Sequence, residues 1–142
     1  HFQVKLLPHK AGSDLLALSI FDGAGTQIAS IVFATIQDRR GVNILSIWDQ
    51  NNFSPIYRQK RLIGLAHLFL LYRYKGAAVH YLTPTDDNQK QAERMKELGI
   101  YQEVKTEIGQ IIVADVNIEQ IKEFVKQDQV KLKRFISKKD IL

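Results

Sequence analysis

The chain has 142 residues, 45% hydrophobic and 25% charged, with 20 Lys and Arg against 15 Asp and Glu and a net charge of +5. That length and balance suit one globular domain with its own core. With no cysteine, a disulfide framework and a Cys-ligated metal site are excluded, and with no signal-peptide pattern and no apolar run of membrane-spanning length, a cytoplasmic protein is expected.

Phe2–Leu7 reads as a short strand stopped by Pro8, and Asp14–Phe21 as a second. Asp22-Gly23-Ala24-Gly25 is a turn, because glycine supplies positive φ without strain. Thr26–Ile36, rich in Ile, Val and Thr, returns as a strand. Asp38-Arg39-Arg40-Gly41 turns the chain again into Val42–Trp48, with Val42, Ile44 and Ser46 on one face. An antiparallel meander is predicted here, followed by a polar loop over Asp49–Pro55.

The rhythm then changes. Arg58–Tyr74 is helical by pattern, with Leu62, Leu65, Ala66, Phe69 and Tyr72 or Arg73 spaced by three and four. Lys75-Gly76 ends it. Ala77–Leu82 is a buried strand, and Thr83–Asp87 a turn able to cap a helix over Asn88–Leu98. That helix places Ala92, Met95 and Leu98 on one side, and Gly99 stops it. Tyr101–Thr106 and Gln110–Val116 form a hairpin around Ile108-Gly109. Asn117 and Gln120 form a capping-box type start for a last helix from Ile118, with Ile121, Phe124 and Val125 inward. Residues 1–127 are expected to form the domain, and 128–142 a basic C-terminal helix or tail, with Val130–Ile136 as its helical part. From Lys122 onward seven Lys or Arg stand against three acids. Such a tail suits a solvated helix face, nucleic acid or an acidic partner.

Arg61-Leu62-Ile63-Gly64-Leu65-Ala66 opens the first helix. Backbone N–H groups at such a start, with the helix dipole, suit a phosphate, and Arg58, Lys60 and Arg61 add positive charge. This run, Arg61-x-x-Gly64-x-Ala66, resembles the pyrophosphate loop of the Gcn5-related N-acetyltransferases, the acyl-CoA N-acyltransferase superfamily. The element order over Asp14–Val116 is similar to theirs. So is the later helix, where Asn88 and Gly99 hold the family separation, Ala92 is displaced by one and Ile100 stands for Phe. The resemblance implies an α+β fold with a mixed, mostly antiparallel sheet flanked by helices. It implies acetyl-CoA as substrate, held at its pyrophosphate by the amides of Arg61–Ala66. It also implies a pantetheine cleft between Val42–Trp48 and Ala77–Leu82, with Asn88 near the pantetheine or the helix start.

Two departures matter. The helix position where the family often holds a tyrosine acid is Met95, which has no proton to give and suits a core gap. Only Pro8–Ser13 separates the first two strands, so the family's two front helices are expected to be reduced or absent here, or to lie on a preceding segment. Tyr101 lies beyond Gly99 and need not reach the site. As a base for acetyl transfer, Asp49 at the end of the third meander strand and His80 on the strand after the helix are the candidates.

His1, His9, His67 and His80 lack metal-site spacing. No Gly-x-Ser-x-Gly elbow, Gly-Lys-Ser/Thr loop or three-glycine dinucleotide fingerprint is present. Three functions therefore compete: an N-acetyltransferase acting on an amine or protein acceptor, a non-catalytic accessory or regulatory domain of a larger protein, and a nucleic-acid-binding module using the basic tail and Tyr72–Lys75. A chain that starts at His1 is expected to be processed, tagged or excised from a longer one, and a homo-oligomer is a further option.

Overall fold

The structure, a computed structural model, describes residues 3–9, 14–54 and 62–127. Four strands come first: β1 (Gln3–Pro8), β2 (Leu16–Phe21), β3 (Gln27–Gln37) and β4 (Asn43–Asn52), each antiparallel to its predecessor. They are followed by α1 (Leu62–Tyr74), β5 (Ala78–Tyr81), α2 (Asp86–Glu97), β6 (Tyr101–Glu107), β7 (Gln110–Val116) and α3 (Ile118–Gln127). The strands form one sheet in the order β1-β2-β3-β4-β5-β7-β6, in which only β4 and β5 run parallel. The expected α+β class with a mostly antiparallel sheet holds.

The meander is closed by two turns of the same chemistry. Asp22 Oδ1 accepts from the N–H of Ala24 at 3.0 Å and of Thr26 at 2.9 Å, while Gly25 takes φ +83°. Asp38 Oδ1 accepts from Arg40 and Val42 N–H at 2.8 and 3.0 Å, while Gly41 takes φ +79°. An Asp side chain satisfies the turn amides, and the glycine three residues on adopts a backbone conformation that costs other residues strain. The Val42 N–H, with Arg40, holds the Asp38 carboxyl below its ordinary value.

Period-two alternation places Leu18, Ile20, Ile31, Phe33, Leu45, Ile47, Val79, Tyr81, Ile111 and Val113 in the core. α1 packs against β3, β4 and α3, and α2 against β6. The Phe33 and Tyr74 rings meet with centroids 5.5 Å apart.

Several expectations shift. Pro8 ends β1 as a paired residue opposite Leu16, which an edge strand tolerates. Only residues 9–15 join β1 to β2, too few for two front helices. The predicted loop at Asp49–Asn52 is strand: these four residues continue β4 against Ala29–Val32. The buried stripe of α1 is Leu62, Ala66, His67, Leu68, Leu70 and Leu71, whereas Leu65 and Phe69 are half-buried and Tyr72 and Arg73 exposed. α2 starts earlier than expected, with Thr85 as its cap, and Leu98 is largely outside the core. Met95 is buried, as its core role requires. The Asn117 cap holds, with Oδ1 accepting from Gln120 N–H at 3.1 Å. Arg58–Arg61 and the tail at 128–142, Val130–Ile136 included, lie outside the described residues. No helix among the described residues is long and apolar enough to cross a membrane.

Candidate acyl-CoA cleft

The site begins with one extra residue. Val32 lies opposite Asp49 but Phe33 lies opposite Ile47, so Trp48 bulges out of β4. The bulge reverses the alternation beyond it. Asp49, which an unbroken strand would aim at the core, turns to the opposite face. Gln50 takes the core side, across from Ile31.

Next to the bulge the sheet opens. β4 and β5 pair from Ile44 and Ala78 to Ile47 and Tyr81. Leu82 N–H still donates to Ile47 O at 2.9 Å, and Thr83 Oγ1 donates to Trp48 O at 3.0 Å. Past that point β4 continues beside β3 alone, while the other chain segment leaves for α2. The wedge between them is a cleft of about 580 Å³ lined by Gln50, Asn51 and Asn52 of β4, Leu62, Ile63 and Gly64 of α1, and Thr85, Asp87, Asn88 and Gln91 at α2. Its size suits a small-molecule site.

Behind one wall of the cleft sits a buried polar network. His67 Nδ1 lies 3.2 Å from Gln50 Oε1, and its Nε2 meets the Tyr101 hydroxyl in a very short contact. Tyr81 Oη lies 3.0 Å from Tyr101 Oη and 3.3 Å from Gln91 Oε1. Gln50 Nε2 donates to Gln91 Oε1 at 2.9 Å, tying β4 to α2 across the wedge. The His67 and Tyr81 rings stack, with centroids 5.7 Å apart and planes 11° from parallel. His67, Tyr81 and Tyr101 are almost wholly buried.

One hydrogen arrangement gives every network group other than the outward amide hydrogens of Gln50 and Gln91 a partner. His67 carries its proton on Nδ1 and donates to Gln50 Oε1. Tyr101 donates to His67 Nε2, and Tyr81 donates to Tyr101 or Gln91. Reversing both amides forces the proton onto His67 Nε2 and leaves one tyrosine hydrogen with no acceptor among these groups. An orphaned buried donor is costly, so the first arrangement is favoured.

The network is also uncharged at neutral pH. Burial lowers the His67 pKa to about 3. Burial raises the Tyr81 and Tyr101 hydroxyls above the usual phenol range; the hydrogen bond to Tyr101 partly offsets this at Tyr81, and the Tyr81 charge adds to it at Tyr101.

The residues singled out in the sequence divide sharply. Leu62, Ile63 and Gly64 line the cleft, Leu65 and Ala66 do not, and Arg61 is outside the described residues. Asn88 lines it too, but its side chain is also structural: Oδ1 accepts from Thr85 N–H at 3.0 Å while Asn88 N–H donates to Thr85 Oγ1 at 3.2 Å. Asp49 is exposed on the far face, with Asn51 Nδ2 donating to its Oδ2 at 2.6 Å. His80 shares that face, half-buried, with Nε2 2.8 Å from Gln110 Oε1. Sequence reasoning missed Gln50, His67, Tyr81 and Gln91; Tyr101 joins the network behind the wall but does not line the cleft.

The two ends of the cleft differ in charge. The first turn of α1 carries no acidic residue, and a Cβ added at Gly64 would meet nothing within 4 Å. The first turn of α2, by contrast, holds Asp86 and Asp87. Negative charge is thus better received at the α1 end of the cleft than at the α2 end.

Solved structures match the fold. The KacTA–DNA complex superposes with a TM-score of 0.60 over 90% of this chain and 100% of that one, at 5% identity. AtaTR bound with AcCoA gives 0.53 over 78% and 72%, at 8% identity. These structures share this chain's fold, a mixed, mostly antiparallel sheet flanked by helices. A variant of the BH1408 protein from Bacillus halodurans gives 0.51 over 69% and 67%, at 17% identity. At such identities the likeness extends to fold alone.

Sequence relatives point elsewhere. No family model matches the chain. Over 136 residues, 96% of its length, it is 48% identical to a protein of Mycobacterium tuberculosis described as a subunit of isocitrate lyase. It is equally similar to isocitrate lyase 2 of Mycobacterium bovis over the same share. The chain spans 34% of the first relative and 18% of the second.

Proposed function

We propose that this chain is an acyl-CoA-binding domain acting as a non-catalytic, regulatory part of a larger protein of the isocitrate lyase type. The observation that carries the reading is the cleft itself, which opens where β4 and β5 part, between the first turns of α1 and α2. A protein of the same fold is known with AcCoA bound. The diphosphate would lie at the first turn of α1, close in sequence to Arg58, Lys60 and Arg61, and the neutral pantetheine arm would run between β4 and α2.

A bound acyl-CoA supplies an activated thioester, but transfer also needs proton handling. Behind the wall, His67 is too weak a base at neutral pH and is shielded by Gln50. Met95 stands where the resemblance calls for a tyrosine acid. These features, with relatives of which the chain spans only 34% and 18%, favour the regulatory role.

A transferase reading draws on a different observation. Asp49 and His80 face the same side of the sheet, on the two strands that part. An amine acceptor would then have to approach from that side.

Calorimetry with acetyl-CoA, paired with an assay for thiol release in the presence of amines, separates the readings. Binding without release supports the regulatory domain. Release that Asp49→Asn or His80→Ala abolishes would overturn it in favour of the transferase.

A further inference from the structure

The polar network fixes more than stability, because it fixes which atoms the cleft wall presents. Gln91 Oε1 faces inward and accepts from Gln50 Nε2 at 2.9 Å and from Tyr81 at 3.3 Å. Gln50 Oε1 is likewise held by His67. Both glutamines line the cleft, whereas His67, Tyr81 and Tyr101 do not. With both acceptors committed inward, Gln91 Nε2 and the second hydrogen of Gln50 Nε2 are left for the cleft. Among the described residues nothing accepts from them, and no buried side-chain nitrogen or oxygen lacks a partner, so the Gln91 amide nitrogen is accessible to solvent, on a residue that lines the cleft. The wall therefore offers donors and withholds acceptors.

Such a wall selects an occupant with an acceptor at that depth. Among the described residues lining the cleft, Asp87 alone is charged, and it disfavours a carboxylate there. A neutral carbonyl oxygen meets both conditions. Resting on the acyl-CoA reading above, we infer that Gln91 and Gln50 recognise the thioester carbonyl of the bound acyl-CoA, so that the domain distinguishes acyl-CoA from free CoA. The His67–Tyr101–Tyr81 network acts as a positioning device, since it holds both amides with their nitrogens toward the ligand.

The inference explains an otherwise odd arrangement. Two glutamines and a histidine, all buried or half-buried, stand where the sheet opens. An apolar wall would be simpler to pack and would not tell an acyl thioester from a thiol. A donor wall discriminates strongly, because a ligand lacking the acceptor leaves desolvated N–H groups unpaired.

The test measures Kd by calorimetry for acetyl-CoA, S-ethyl-CoA and CoA. The ethyl thioether lacks only the carbonyl oxygen of the acetyl compound. Wild type should bind acetyl-CoA about tenfold more tightly than either other ligand. Gln91→Glu keeps the inward acceptor for Gln50 and Tyr81 but puts an oxygen where the donor was. It should lose the preference while still binding CoA, with a thermal melt reporting that the fold is intact. Gln91→Met, which removes the amide without adding charge, should lose it as well.

Equal wild-type affinity for acetyl-CoA and S-ethyl-CoA would overturn this inference and leave the acyl-CoA reading standing. Equal loss of all three ligands in both variants would also overturn it, by pointing to a pantetheine carbonyl that all three share. Failure of wild type to bind any of them would sink the acyl-CoA reading itself.

Discussion

Lowering the pH from 6.5 to 5 should destabilise this protein through one side chain, His67. In the unfolded chain a histidine titrates near 6.5; in the fold, burial holds His67 neutral down to about 3. Above 6.5 both states are neutral and the group contributes no pH dependence. Below it, the unfolded chain binds a proton that the folded protein refuses. Stability therefore falls as pH falls, by about 1.36 kcal/mol per unit. Across this window the loss is about 2 kcal/mol, a large share of a typical domain's 5–15 kcal/mol. In a melt it should lower Tm by about 5–10 °C. Asp38, whose carboxyl is held below its ordinary value, adds its own loss only at more acidic pH. Urea unfolding at half-unit steps, on wild type and His67→Gln, isolates the effect by cancelling the other three histidines. The variant starts less stable but should show a flatter slope. Identical slopes in the two proteins would refute a neutral, proton-refusing His67.

Two further changes probe the frame of the cleft. A Cβ at Gly76 would sit 3.1 Å from Leu71 Cδ2 and 3.5 Å from Leu45 Cβ, at the junction of α1 and β5. Because Leu71 and Leu45 are fully buried, Gly76→Ala should cost about 1–2 kcal/mol in urea unfolding. Thr85→Ala removes the side-chain acceptor for Asn88 N–H. It should cost about 1 kcal/mol and loosen α2 at the cleft mouth, visible as faster amide exchange in residues 86–89.

How much was legible beforehand depended on the physics of each element. The meander could be read because its turns carry Asp and Gly at positions only those residues fill well. The hairpin at Ile108-Gly109 and the Asn117 cap could be read for the same local reason. The α1 stripe could not: Leu62–Tyr74 is apolar on nearly every side, so the spacing through Leu65 and Phe69 gave the wrong phase, and the inward face turned out to include His67. Asp49–Asn52 looked like a loop because four polar residues carry no strand signal. They are strand because β3 offers backbone partners there.

The bulge at Trp48 did most to hide the site. A one-residue slip exchanges the faces of everything after it. It turned Asp49 away from the core and Gln50 toward it, and nothing in the local sequence announces it. The run at Leu62–Gly64 was found because a glycine at a helix start is a local signal. The network of Gln50, His67, Tyr81, Gln91 and Tyr101 joins five separate elements, and only tertiary structure brings them together.

The most direct test of the account is acetyl-CoA titration by calorimetry into wild type and Gly64→Glu. Gly64 lines the cleft with open space at its missing Cβ and no positive φ, so the substitution should fold normally. It puts a negative carboxylate where the diphosphate should lie. Saturable binding to wild type, abolished in Gly64→Glu with an unchanged melt, is the predicted result. No binding by a well-folded wild type, or equal binding by both proteins, would contradict the assignment of this cleft to acyl-CoA.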